Sequence, residues 1–300
     1  MKHNLKMSIS GFAFLASTLP TFAADGPATY ATPQDALEAF VAALGNREAV
    51  LEVFGTDATD VLVSGDAQED AENRAEIEAL IQEGYRFQLD EENRVTLLLG
   101  AEAWPFPIPL AKTDTAWAFD IEAGRDEVFY RSIGLNELET IDMIEAYVEL
   151  QLAYRLVDHD ADGVLEFAAS ILSSDGARDG LVWADEDSPL GERIALASLD
   201  GFSDGETDQE AEPFGGYYYR VLQGQGASAP GGALDYIVGG NMIAGHALLA
   251  VPAAYNETGV HSFIVSENGR VFAADLGENS LDVALEILTY NPDTAWSPVE

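Results

Sequence analysis

Apolar positions fall at helical spacing from the first capped segment of the chain. Thr32, Pro33 and Asp35 read as an N-cap, a first-turn proline and an acidic third position, and Ala36, Leu37, Phe40, Val41 and Leu44 follow on one face until Gly45. The same logic predicts a short helix over Glu48–Phe54, ended by Gly55, and a Glu- and Ala-rich helix over Gln68–Glu83, ended by Gly84. Strands follow. Arg94–Leu99 is one, and Trp104, Phe106, Ile108 and Leu110 alternate with Pro105, Pro107 and Pro109. Three prolines on one side cannot donate to a ladder, so this segment is expected at an edge or as a strand-like extended stretch. A turn at residues 112–114 leads to a further strand marked by Trp117 and Phe119.

Between Leu135 and Leu156 the apolar residues Leu138, Ile141, Ile144, Val148 and Leu152 fall three or four apart, which predicts one long helix with a single apolar stripe. Gly-punctuated strands come next: Tyr217–Leu222, Leu234–Val238, Met242–Val251, Val260–Val265 and Arg270–Ala274. Gly239, Gly240 and Asn241 separate one pair as a hairpin. Asn268-Gly269 separates another, as a type I′ turn with positive φ at both central residues. A closing helix over Leu281–Leu288 has Asn279 and Ser280 as cap candidates. The polar stretch Asp200–Pro213 reads as a mobile loop. The fold class is therefore α+β, with an N-terminal domain over 24–134 and a C-terminal antiparallel sheet domain over 135–300 that includes the long helix.

The ends and the charge change this picture in two ways. Lys2 and Lys6 precede an apolar run from Ile9 to Leu19, and in Thr21-Phe22-Ala23 the small Thr21 and Ala23 stand at the two positions a signal peptidase reads, so residues 1–23 read as a signal peptide cleaved before Ala24. No segment has the length of about 20 apolar residues needed to span a bilayer, so a monomeric periplasmic or secreted protein is expected. Fourteen basic residues against 53 acidic ones give a net charge of −39. Such a field repels nucleic-acid backbones and anionic lipid surfaces and excludes both as direct partners. With no cysteine in the chain, disulfides, thiolate metal sites and cysteine nucleophiles are excluded as well.

Candidate chemistry concentrates directly after the long helix. Asp158, Asp160 and Asp162 stand at alternate positions before Gly163, with Glu166 three residues further on. Carboxylates so spaced converge on one hard cation, the glycine permits a sharp turn, and the Val164 carbonyl supplies another oxygen, so a structural Ca2+ is expected here. The twelfth position of an EF-hand loop, normally a bidentate Glu, is Ala169, which lowers the ligand count. Other signals carry less. Gly224, Gly226 and Ala229 form a GxGxxA string, but Pro230, Gly231 and Gly232 follow where a dinucleotide site needs a helix. Ser228 lacks the context of a nucleophile elbow. His159 lies inside the acidic turn, where it is expected exposed beside the ligands, while His246 and His261 read as satisfied sheet histidines on different strands. Trp104, Phe106, Tyr217 and Tyr219, at period two, read as a sheet's core face.

A family resemblance rests on Trp104 to Leu110, then Trp117, Phe119, Asp120, Ala123 and Gly124, then Ile133-Gly134, Asn136-Glu137, Tyr147 and Tyr154. It continues through Asp179-Gly180-Leu181, Ser188-Pro189-Leu190-Gly191, Gly216-Tyr217-Tyr218-Tyr219-Arg220, Ala229-Pro230-Gly231-Gly232 and Asp275-Leu276-Gly277. These residues resemble the exported bacterial family catalogued as domain of unknown function 2950, which implies export and assigns no activity. In shape, the N-terminal half looks like the cone of nuclear-transport-factor-like domains, and the C-terminal half looks like a pseudopilin head. The expected role is a binding or structural component of the envelope, acting on an envelope partner or a small ligand. The alternative is an envelope hydrolase or isomerase with a pocket in the N-terminal cone and Asp120 and Arg125 as its first polar residues.

Overall fold

The computed structural model describes residues 26–63, 67–90, 93–113, 115–174, 176–183, 196–199 and 212–299. The leader, the Ser188-Pro189-Leu190-Gly191 motif and all but the last two residues of the polar stretch 200–213 lie outside them. The chain is mixed α and β and divides into two compact units, residues 1–128 and 129–300. Among the described residues no helix is long and apolar enough to cross a membrane.

In the first unit, α1 (Pro33–Ala43) starts where the sequence places its cap: Thr32 Oγ1 accepts from the Asp35 amide at 3.1 Å, and Asp35 returns the contact to the Thr32 amide at 3.0 Å. Two of the orphan donors of the first turn are thereby satisfied. Asn46 caps α2 (Arg47–Phe54), a single turn α3 (Thr59–Leu62) follows, and α4 spans Ala67–Glu83. The sheet is antiparallel, in the order β1 (Tyr85–Leu89), β2 (Arg94–Leu99), β4 (Leu110–Thr113), β5 (Ala116–Phe119), with the two-residue β3 (Trp104–Pro105) also paired to β2. Phe40, Phe54, Phe106 and Phe119 form its aromatic centre, with Phe54 and Phe119 ring centroids 4.4 Å apart.

One of two expectations is corrected here. The proline segment stands as an extended stretch at the margin of the sheet, as expected: β3 pairs with β2 alone, and the chain enters the interior of the sheet only at β4, between β2 and β5. The edge strand β1 has the half-buried Phe87 as its one inward residue. The prolines are accommodated because the chain leaves the ladder between β3 and β4, keeping one bond from the Phe106 amide to the Leu97 carbonyl at 2.8 Å. The long helix, by contrast, starts earlier than the pattern predicts. It is α5, Ile121–Tyr154, so the boundary between the two units, after Val128, falls within it. Asp120 accepts from the Ala123 amide at 3.1 Å to begin the helix. Gly124 then lies so close to Ile108 that a Cβ would stand 2.7 Å from its Cγ1. Close packing at that point, rather than helix propensity, accounts for the glycine.

The buried face of α5 is only partly the predicted stripe: Ile144 is buried and Ile141 and Val148 pack against the core, but the ends of the stripe turn outward. Leu138 and Leu152 are 61% and 56% exposed, whereas Thr140, Ile144, Tyr147, Gln151 and Tyr154 are buried. Tyr147 and Gln151 are accommodated in this core because each has a place to bond. Tyr147 Oη donates to the Ala247 carbonyl at 3.0 Å, and Gln151 joins both backbone groups of Ala168 at 2.9 Å.

That core centres on a sheet in the order β8 (Tyr217–Leu222), β13 (Ala247–Pro252), β14 (His261–Ser266), β15 (Phe272–Asp275) and β16 (Ser297–Pro298), all antiparallel. Every residue of β8 and β13 is buried, so this part of the sheet is covered on both faces. The closing helix α6 (Ser280–Glu286) packs beside it, and Arg220 on β8 donates to the Ala284 and Leu285 carbonyls at its end. A short parallel pair, β6 (Ser170–Leu172) and β7 (Gly180–Val182), and two small hairpins complete the unit: β9 (Gly224–Gln225) with β10 (Leu234–Asp235), and β11 (Ile237–Val238) with β12 (Asn241–Met242). Gly239 and Gly240 both have positive φ, as a two-residue hairpin turn requires. Asn268-Gly269 is not such a turn. Only Gly269 has positive φ, +72°, and its amide closes on the Ser266 carbonyl at 2.9 Å within a longer loop.

Candidate functional site

The acidic turn is held by its own carboxylates. Asp158 Oδ2 accepts from the Gly163 amide at 2.9 Å, Asp160 Oδ1 from Asp162 at 3.2 Å, and Asp162 Oδ1 from Val164 at 2.7 Å. Short side chains that bond to amides further along the chain favour this conformation over helix, which is why α5 stops before them. Ala161 and Gly163 both take positive φ, +60° and +91°. The result brings carboxylate oxygens of Asp158, Asp160 and Asp162 within 4.8 Å of one another. Asp158 Oδ1 is buried and, among the described residues, accepts no hydrogen bond.

Glu166 stands beside this cluster with a second task. Its Oε2 accepts from the Met242 amide at 3.0 Å. Burial pushes its carboxyl pKa up, and the charges of Asp160, Asp162 and Asp158 push in the same direction. The turn is stapled to the β11–β12 hairpin at three points: Glu166 to the Met242 amide, Phe167 N–H to the Met242 carbonyl at 2.8 Å, and Asn241 Nδ2 to Asp162 Oδ2 at 2.6 Å. Nothing local in the sequence marks Asn241 for this, since it lies 79 residues from Asp162.

His159 is not exposed beside the ligands as expected. It is half-buried and stacks on Tyr154 with ring centroids 4.1 Å apart, its Nε2 lies 3.2 Å from the Tyr154 carbonyl, and Trp183 packs 5.4 Å away. Tyr154 Oη in turn donates to the Arg178 carbonyl, so the start of the turn is clamped to an aromatic cluster. Burial and the nearby charges of Glu166, Asp179 and Asp160 raise the pKa of that phenol.

The other candidates go separate ways. His261 is half-exposed, with Nδ1 3.1 Å from Glu137 Oε2, while Glu137 Oε1 accepts from the Val260 and His261 amides at 2.8 and 2.9 Å. His246 is buried against Tyr147 and Phe167, and neither ring nitrogen has a hydrogen-bond partner among the described residues. The expectation of a satisfied histidine fails at this position. Gly224 sits in a strand and Ser228 is exposed in a turn, its amide bonded to Asn291, so neither opens a helix. Asp120 begins α5, and Arg125 pairs with Asp60 at 2.7 Å. Of the period-two aromatics, Phe106, Tyr217 and Tyr219 are buried, and Trp104 is 39% exposed.

Many residues that carry the family resemblance serve as fasteners. Asn136 donates to the Thr258 carbonyl at 2.9 Å and Glu137 holds the next two amides but one, so this pair secures the turn that enters β14. Tyr217 Oη donates to the His261 carbonyl at 3.0 Å from the sheet side of the same turn. The model of a family described as protein of unknown function (DUF2950) matches residues 27–299. No curated protein and no solved structure matches the chain.

Proposed function

Since the chain belongs to the DUF2950 family of proteins of unknown function, we propose a role from its own geometry: an exported binding or structural component of the cell envelope, steadied by a structural calcium turn. One observation carries the calcium reading. Three carboxylates lie within 4.8 Å of one another, and an oxygen of Asp158 is buried there with no donor among the described residues. Two unit charges about 4 Å apart repel by roughly 4 kcal/mol at an effective dielectric of 20, so a cation offsets a sizeable cost.

In this reading Asp158, Asp160, Asp162 and Glu166 supply side-chain oxygens and Val164 a carbonyl. Oxygen ligands without sulfur disfavour zinc, and a set partly committed to backbone amides suits the loose shell of calcium better than the strict octahedron of magnesium. With Ala169 at the twelfth position the dissociation constant is expected at about 10⁻⁴ to 10⁻³ M, in the range of extracellular modules. At ten times that concentration the ion stabilises the fold by about 1.4 kcal/mol. That suffices to hold the turn, not to drive folding.

Export rests on the leader-like residues 1–23, and the net charge of −39 supports a protein or small-molecule partner rather than nucleic acid or lipid. Helices α1 to α4 before an antiparallel sheet support a nuclear-transport-factor-like cone, and a long helix before the second sheet supports a pseudopilin-like head. The test is calorimetric titration of the chelated protein with calcium, beside an Asp160→Asn, Asp162→Asn double variant. Heat from the parent alone, at millimolar calcium, is the expected result. Equal heats, or none, would refute the site.

A further inference from the structure

Away from the acidic turn, the first unit contains a cavity of about 120 Å³ between α1, α2 and α4. Its floor is apolar: Phe40, Leu44 and Phe106 are buried, and Leu51 and Ile77 form half-buried walls. An apolar cavity of roughly 150 Å³ is known to accept one benzene ring, so the space is ring-sized. Its polar rim includes Arg47 and Arg74.

Both arginines are unusual where they stand. The chain has 14 basic residues against 53 acidic ones, so two at one small cavity are a local reversal of its charge. Arg47 opens α2, where a cation opposes the helix dipole, and Val50 and Leu51 occupy the positions three and four residues on. Arg74 has Asp70 and Glu78 four residues to either side on α4, the spacing at which ion pairs form. Among the described residues, neither arginine forms an ion pair or a side-chain hydrogen bond. Asp70, also on the rim, already carries an interaction of its own.

We propose that this cavity is a binding site for a small carboxylate bearing a ring-sized apolar group, the ring over Phe40 and Phe106 and the carboxylate between Arg47 and Arg74. This inference is independent of the calcium turn. Guanidinium groups are weakly hydrated and bind carboxylates through paired N–H donors, which suits them to a site at the mouth of an apolar cavity.

The probe is 3-phenylpropionate, titrated into the intact chain and followed by NMR, with 3-phenylpropanol and 3-phenylpropylamine as uncharged and cationic counterparts. The expected result is saturable binding of the carboxylate at least tenfold tighter than either counterpart, with nuclear Overhauser contacts from its ring to Ile77 and Phe106. In an Arg47→Gln, Arg74→Gln variant, both positions being exposed, the carboxylate should lose at least tenfold in affinity while the alcohol is unchanged and the circular dichroism spectrum is that of the parent. Equal binding of acid and alcohol, an unaltered acid affinity in the double variant, contacts to residues outside the cavity, or no binding at millimolar concentration would each overturn the proposal.

Discussion

Gln151 shows how much one buried polar side chain contributes. It accepts from the Ala168 amide and donates to the Ala168 carbonyl, both at 2.9 Å, and also meets Tyr147 Oη at 3.1 Å. Replacing it with Leu leaves both backbone groups of Ala168 buried and unpaired, at an expected cost of about 3 kcal/mol, measurable by denaturant unfolding. A change under about 1 kcal/mol would mean that water or another group takes its place. His246 gives a pH signature. Burial, reinforced by the charge of Arg155, lowers its pKa to about 4, against about 6.5 for the unfolded chain. Between those values the unfolded state takes up a proton that the native state refuses, so this residue makes stability fall as pH drops from about 6.5 to about 4, by roughly 1.4 kcal/mol per unit. A His246→Leu variant should lack that part of the slope, and identical slopes in parent and variant would contradict the assignment.

At the scale of elements, α5 is fastened to the second sheet at several levels. At its midpoint Glu137 takes the Val260 and His261 amides, about two turns further on Ile144 is fully buried, and beyond the C-terminal end the acidic turn is stapled to the β11–β12 hairpin. Glu137→Ala is expected to cost about 2 kcal/mol and to speed amide exchange at Val260 and His261 before the rest of β14. Ile144→Asp buries an unpaired charge and should cost on the order of 3 kcal/mol or more. If that variant melts like the parent, the face of α5 described here is not buried. The unbroken helix through Gly134, despite a propensity cost of about 1 kcal/mol, is consistent with packing rather than propensity holding this stretch.

At the scale of the whole molecule the net charge of −39 dominates. Self-repulsion among so many carboxylates destabilises the compact state and is screened by salt, with a Debye length of about 30 Å at 0.01 M falling to about 10 Å at 0.1 M. The melting temperature should therefore rise with sodium chloride over that range even with calcium chelated. A flat response would indicate that the acidic groups are already offset by bound counter-ions or by the local pairing of charges.

Periodicity and capping chemistry are local, and the elements they govern are legible without tertiary information. The Thr32 cap, the stop of α2 at Gly55, the span Tyr217–Leu222 and the Gly239-Gly240 hairpin all stand where the residues place them. The clustering of Asp158, Asp160 and Asp162 also follows from spacing, because three short carboxylates at alternate positions before a glycine bend the chain around themselves. What the fold decided depends on contacts between distant segments. The true buried face of α5 carries Thr140 and Gln151, polar residues that a hydrophobic count passes over, and only the nearness of Ala168 makes Gln151 a core residue. Likewise Asn241 reaches Asp162, and Arg47 and Arg74 come to line one cavity, only after hairpin and helices have packed. Such partners are set by the burial of surface between elements, and burial depends on the whole core rather than on the residues either side of a position.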